Sequence, residues 1–352
     1  MNHRTIARVV FCLIVILAIG APYAMGADPL GKFGAATPGQ VTKVTVLFPG
    51  PSAIDSSSFC VALGAGYFKE EGLDITYEAV DGSSQVLQGL SSGKAQIGRP
   101  GPGPTLAARG RGVDVVYFYR HFPKNQFALV VKEGSPYKVP ADLKGKVVGI
   151  GTADSAEVPF VRSVLTDAGM KENVDYKFLI VGDGGTAAVA FLRGDIEGYA
   201  ASMFDAATVT VRGIPLREIT PEKFLTYFGS GFVALGPYIK EHPDVIKGFG
   251  RALVRGTMFV MDKANKEKVL EYCKRVNPQE GEDRALCLAF FDKSIDRMTP
   301  LDRDKAKGWG YNSPEDWKTI YDSNVASGYL KPPLPKLEET YTNEFVDIWN
   351  GK

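Results

Sequence analysis

Short polar side chains gather in this sequence where apolar runs stop and helix-like runs start, the places where a chain can offer donors to a small molecule. One such turn is Pro49-Gly50-Pro51-Ser52, followed by Asp55 and the serines Ser56, Ser57 and Ser58. Unpaired backbone N–H groups at a helix start can hold an anionic head group. The same residues also serve as ordinary helix caps, and Asp55 would repel an anion placed close by. A second turn holds Thr152, Asp154, Ser155 and Glu157. Asp154 and Glu157 have the spacing of a capping box, whereas Thr152 and Ser155 are small hydroxyl donors at a strand end. With Asp55 and Asp205 these acids favour a cationic or polar-neutral ligand over an anion.

Two arginines could act the other way. Arg99 opens the stretch running through Pro100, Gly101 and Pro102, and Arg120 precedes His121 at the end of an apolar run. Either guanidinium could grip a carboxylate or sulfonate by a paired donor fork, or be a salt-bridged surface group. Ser202, Met203, Phe204 and Asp205 follow another apolar run, with Met203 and Phe204 the better apolar candidates for a ligand wall; Phe48, Phe59 and Phe160 have the spacing of buried core. Gly182-Asp183-Gly184-Gly185 is read as a turn, since no lysine or nucleotide pattern follows it. The three histidines are scattered and suggest no metal site. No catalytic pair and no cofactor are expected.

The elements that must carry these residues alternate. Val44–Phe48 reads as a strand, 55–66 as a helix, 73–80 as a strand, 84–92 as a helix stopped by Gly93, and 95–98 as a strand. The order recurs: strand 146–150, helix 155–168, strand 176–181, helix 186–193 stopped by Gly194, strand 196–200. Such alternation implies mostly parallel sheets with helices on both faces. The apolar runs 126–131 and 231–235 read as two crossings between lobes. One lobe is then 41–126 plus the helix-rich 236–352, and the other is 131–230.

Residues 1–26 have a basic start with Arg4 and Arg8, an apolar run from Val9 to Ile19, and a small-residue exit near Ala24. That is the order of a secretory signal peptide, and the run is shorter than the roughly 20 residues a membrane span needs. Cys12 lacks the preceding small residues of a lipidated cysteine. A periplasmic protein that is not a lipoprotein is expected. Losing Arg4 and Arg8 leaves 41 − 2 = 39 basic against 40 acidic residues, a balance that gives no reason to expect nucleic acid as a partner. Cys60 reads as a buried thiol. Cys273 and Cys287 flank a turn, and a bridge closing that loop of about 15 residues would contribute roughly 3 kcal/mol; the spacing leaves bridge or free thiols open.

Three stretches, Gly66-Tyr-Phe-Lys-Glu-Glu-Gly-Leu-Asp-Ile75, Leu90-Ser-Ser-Gly-Lys-Ala-Gln-Ile-Gly98 and Pro140-Ala-Asp-Leu-Lys-Gly-Lys-Val-Val-Gly149, resemble the solute-binding proteins for sulfonates, taurine, nitrate and thiamine-pyrimidine precursors. Phe191–Gly198 and Tyr341–Phe345 fit the same pattern. The resemblance implies a type II-like periplasmic-binding-protein fold of two α/β lobes closing on a ligand by hinge motion. It further implies delivery to an inner-membrane ABC permease by a monomeric, non-catalytic receptor. A sulfonate or organic acid is the ligand the family suggests, with a pyrimidine or aromatic compound as the alternative. A sensor component or a pyrimidine-synthase-like enzyme is the alternative of another class. Where relatives carry a Trp-Glu-Pro-like stretch this sequence has Ser202-Met203-Phe204-Asp205, so a ligand contact made there differs.

Overall fold

The structure, a computed structural model, describes residues 41–153 and 155–352. The expected export signal, the reading of Cys12 and the site candidate Asp154 lie outside these residues. Among the described residues no helix is long and apolar enough to cross a membrane.

Among the described residues ten strands form two five-stranded sheets. The first contains β1 (Thr42–Phe48), β2 (Leu73–Ala79), β3 (Ile97–Gly98), β4 (Val115–Arg120) and β10 (Gly231–Leu235) in the order β2-β1-β3-β10-β4. The second contains β5 (Phe127–Lys132), β6 (Lys146–Ile150), β7 (Tyr176–Ile180), β8 (Gly198–Ser202) and β9 (Leu216–Glu218) in the order β7-β6-β8-β5-β9. β1 pairs in parallel with β2 and β3, as β6 does with β7 and β8. In each sheet the fourth strand runs antiparallel to its neighbours, β10 in the first and β5 in the second. The two sheets therefore share one topology. The stretches read as crossings are full strands, and the chain changes sheets just ahead of each, through 121–126 and 219–230.

Local chemistry explains the repeat. The helices Gly82–Ser91 and Gly185–Arg193 each stop at a glycine with positive φ, 74° at Gly93 and 76° at Gly194, a conformation cheap only without a β-carbon. Each then turns directly into a strand. Two further helices follow the third strand of each sheet: Pro102–Gly110 after β3 and Met203–Val211 after β8. Pro102 stands in the first turn of its helix, where a missing N–H costs nothing.

The helices after β10 build up the first-sheet side, and two of them also reach the second: Arg284–Met298 packs on Met203–Val211, and Pro314–Ala326 on Glu157–Asp167. Pro243–Met261 lies against Ser57–Gly64 so closely that a β-carbon on Gly256 would come within 2.1 Å of the Ser58 carbonyl oxygen. Thr257 Oγ1 and Ser58 Oγ bond across this contact at 2.9 Å. The main apolar core joins β1, β4 and β10 residues such as Val46, Phe118 and Phe232 to Phe249, Phe290 and Trp349 from the later helices. Phe48 and Phe59 belong to it, while Phe160 packs in the core of the second sheet.

The Cys273–Cys287 bridge is not formed. Both residues, like Cys60, are buried free thiols. The intervening turn folds into a short helix, Pro278–Glu282, and Cys287 Sγ donates to the Glu280 carbonyl oxygen 3.1 Å away, while Cys273 lies in the main core with Cys60 from the helix Ser57–Gly64.

Candidate functional site

The strand ends and helix starts of both sheets converge on a cavity of about 200 Å³. From the first sheet side come Pro49, Gly50, Pro51, Ser52 and Asp55 after β1, Gly82 and Ser83 after β2, and Gly101 after β3. From the second come Ser155, Ala156 and Glu157 after β6, Asp183 after β7, and Ser202, Phe204 and Asp205 after β8. Gln126 and Ser230, the residues immediately before β5 and β10, complete the lining with Phe127. This is the crevice outside the carboxyl ends of parallel strands where open α/β sheets bind ligands. The two halves meet closely, since a β-carbon on Gly101 would come within 2.5 Å of Ala156 Cβ.

The first-sheet wall is held from behind by Glu280. Its Oε1 accepts from Ser52 Oγ at 2.6 Å, and its Oε2 accepts from the Ala53 and Ile54 N–H groups at 2.6 and 3.2 Å. These are the helix-start donors expected to cradle an anion, and the protein's own carboxylate occupies them. Burial nonetheless raises the Glu280 carboxyl above its ordinary value, with the three donors pulling the other way.

Arg99 does not line the cavity. It lies behind the wall, buried, with Nη2 paired to Asp55 and Nη1 donating to Ser230 Oγ at 2.8 Å. Ser230 in turn donates from N and Oγ to Gln126 Oε1 at 2.7 and 2.8 Å, so one network spans both chain crossings. Its Nε lacks a hydrogen-bond partner, and the guanidinium sits over the Phe48 and Phe122 rings. His121 beside it is pushed down to about 3 by burial and then by Arg99, and so is neutral at ordinary pH. Arg120 is further away, buried between Asp304 (2.7 Å) and Asp316 (2.5 Å). Its fork is filled by protein carboxylates and does not reach the cavity.

The second-sheet wall is acidic. Asp205 closes a capping box on Ser202: the aspartate accepts from the Ser202 N–H and hydroxyl, and Ser202 Oγ accepts from the Asp205 N–H. It also accepts from the Gly184 N–H at 2.9 Å. The helix Glu157–Asp167 begins at Glu157 with Ala156 as its N-cap; the capping-box reading rests on Asp154, which lies outside the described residues. Its carboxyl is pushed up to about 8 by burial and by Asp205. Asp205 rises to about 7 through burial and Asp183, and Asp183 rises through burial and Asp81. Among the described residues none of these three carboxyls is paired with a lysine or arginine, and no basic side chain lines the cavity. No group of histidine, cysteine or acidic residues placed to hold a metal ion occurs among them either.

Of the expected site residues, Pro49, Ser52, Asp55, Gly101, Ser155, Ser202, Phe204 and Asp205 line the cavity together. Thr152 stands one step back, bonded to Ser155 Oγ at 2.8 Å. Ser56 is buried and faces a neighbouring cavity beyond the Pro49–Ser52 turn. Met203 turns to an adjoining cavity that shares Gln126, Phe127 and Ser202 with the first and is bounded by Asp292, Lys293, Asp296 and Arg297 of the helix Arg284–Met298. Sequence reasoning missed Gly82, Ser83, Gln126, Phe127, Asp183 and Ser230. The signal for two of them was present: Gln126 is the first residue of one crossing run and Ser230 stands directly before the other.

Two mixed sheets of one topology meeting at a cleft define the periplasmic-binding-protein fold. An alkanesulfonate-binding protein SsuA from Xanthomonas axonopodis pv. citri, solved bound to MOPS, has it: TM-score 0.67, 17% identity, covering 86% of this chain and 99% of that one. The family model described as NMT1/THI5 like matches residues 53–266, and the chain belongs to that family. A protein of Escherichia coli (strain K12) named as an aliphatic sulfonates-binding protein is 29% identical over 167 residues, 47% of this chain; the match spans 50%, about half, of that relative's length. A 4-amino-5-hydroxymethyl-2-methylpyrimidine phosphate synthase of Saccharomyces cerevisiae is 23% identical over 300 residues, 80% of this chain and 81% of that protein.

Proposed function

We propose that this chain is the extracytoplasmic substrate-binding component of an ABC importer, which captures a small organic molecule between its lobes and presents the closed form to an inner-membrane permease. The observation that carries this reading is the cavity lined from both sheets at their strand ends and helix starts. The lobes are 41–126 with 236–352, and 131–230, and they swing about the two connections just ahead of β5 and β10, 121–126 and 219–230. Closure is stabilised by the ligand's greater affinity for the closed state. Gln126 and Ser230 sit at the two crossings and in the lining, so ligand contact and lobe angle are joined there. The receptor works as a monomer, in the periplasm, without nucleic acid as a partner.

The synthases among the relatives favour a second reading, an enzyme of pyrimidine formation. Against it stands the lining, which among the described residues has no histidine, lysine or cysteine to attack a substrate, and offers only the carboxyls Glu157, Asp183, Asp205 and Asp55 for proton transfer. Thermal unfolding and small-angle scattering of ligand-stripped protein test the receptor reading with a panel of sulfonates, carboxylates, pyrimidines and amines. At least one compound raises the melting temperature and shrinks the radius of gyration; at about 100 times its Kd it adds roughly 2.7 kcal/mol. A panel that stabilises nothing and closes nothing defeats this reading.

A further inference from the structure

We infer that the cleft selects a compact ligand carrying a cationic nitrogen, such as an ammonium, amidinium or guanidinium group, with the charge seated against Glu157, Asp183 and Asp205. The inference rests on the receptor reading and deepens it. The cavity between the sheets makes the site; its charge decides what enters.

Three independent observations remove the charged means of holding an anion. No lysine, arginine or histidine lines the cavity among the described residues. Arg99, the nearest guanidinium, is buried behind the wall and already paired with Asp55. The helix-start N–H groups of Ala53 and Ile54 are taken by Glu280. An incoming sulfonate or carboxylate would find no charged donor in the lining without displacing a protein carboxylate; what is left to it is neutral, the serine hydroxyls and the uncapped helix start at Gly82 and Ser83.

The opposite wall supplies acceptors. Glu157 is 6% exposed and Asp205 5%, yet both reach the cavity, with Asp183 beside them. The other titratable groups facing them are Tyr199 beneath the same wall, whose hydroxyl donates to the Gly182 carbonyl oxygen, Asp81 beside Asp183, and the Asp55–Arg99 pair across the cleft. The helix starts under the acids carry roughly half a positive charge each, which softens three carboxylates without cancelling them. Buried carboxyls that lack a cation hold their protons, and Glu157 at about 8 does so at neutral pH. A cation arriving in the cleft favours the ionised forms, so its binding expels protons. Phe127 and Phe204 give the remainder of the ligand an apolar surface.

The test is isothermal titration of the mature, ligand-stripped protein at neutral pH with three molecules of one shape: benzamidinium, benzamide and benzenesulfonate. Benzamidinium binds at least about 100-fold more tightly than either of the others. Its enthalpy varies with the ionisation enthalpy of the buffer in the sense of proton release. E157Q and D183N, made separately, each cost benzamidinium at least about tenfold and leave benzamide within about twofold; Asp205 is left alone because it caps a helix. Retained thermal unfolding midpoints show that both variants fold. Benzenesulfonate binding as tightly as benzamidinium overturns the inference while sparing the receptor reading, as does benzamidinium binding without proton release. No binding by any of the three at millimolar concentration overturns the inference too, and the receptor reading is then decided by its own wider panel.

Discussion

Replacing Glu280 by alanine takes the acceptor away from three donors at once: the Ser52 hydroxyl and the Ala53 and Ile54 N–H groups. Hydrogen bonds to a charged group contribute about 1.5–3 kcal/mol each, and a buried donor left unpaired costs its desolvation. Ser52 can turn to water or to a neighbouring acceptor, and Asp55 N already donates to Ser52 Oγ at 3.2 Å. The two amides cannot turn. Removing the carboxylate also removes its own burial cost, which the raised titration of Glu280 registers. The net expectation for E280A is a loss of about 3 kcal/mol. Glutamine separates the terms: its carbonyl oxygen can serve Ala53 and Ile54 while its amide donates to Ser52 Oγ, so E280Q loses about 1 kcal/mol or less. Urea unfolding at neutral pH with linear extrapolation measures both, and an unchanged m-value shows that the comparison is between like states. If E280A lies within 1 kcal/mol of the parent protein, or if E280Q falls as far as E280A, the argument that a carboxylate organises this wall is wrong.

R120M leaves Asp304 and Asp316 buried without their shared guanidinium, though Asp316 keeps Arg303; denaturant unfolding shows a loss of about 3–5 kcal/mol, and ligand affinity of the folded protein is unchanged because the residue does not line the cleft. G256A drives a β-carbon into the Ser58 carbonyl and loses about 2–3 kcal/mol, whereas G134A, with open space around it, stays within about 0.5 kcal/mol in the same assay. Glu157 and Asp205 titrate near 8 and 7 in the fold, above their ordinary values, so the folded chain holds more protons than the unfolded chain between those limits. Their contribution to stability is full below the ordinary carboxyl range and is lost as pH rises through about 7 to 8. The ligand-free protein therefore melts several degrees higher near pH 5 than near pH 8 by calorimetry, and E157Q flattens the difference.

Most strands were legible because each is a short apolar run closed by glycine or proline. Gly231–Leu235 and Lys146–Ile150 fall where the pattern puts them. The helix Pro102–Gly110 was hidden by its own first turn, since Pro-Gly-Pro reads as a breaker even where a helix start tolerates it. Met203–Val211 was hidden by β-branched residues that favour strands. The site was legible only in part. Turn residues such as Ser52 and Ser202 announce themselves by position, but what a charged group does depends on what it meets. For Arg99 and Arg120 the sequence left donor fork and salt-bridged group both open, because their partners, Asp55 and the Asp304–Asp316 pair, are 44 or more residues away. Glu280 lies 226 to 228 residues from the turn it holds, and no local pattern records that distance.

The place of β10 has a consequence for the order in which the molecule is built. It is an inner strand, the one that joins β4 to the rest of the first sheet, with Gly231 opposite Arg120. A chain emerging from its amino end has therefore made all of the second sheet before the first can close. Such a gap between partners is slow to bridge, whereas β5 to β9 are contiguous in sequence and form the second sheet by themselves. The lobe begun first is the lobe completed last, and the inserted one serves as the folded span that brings β10 back to β4.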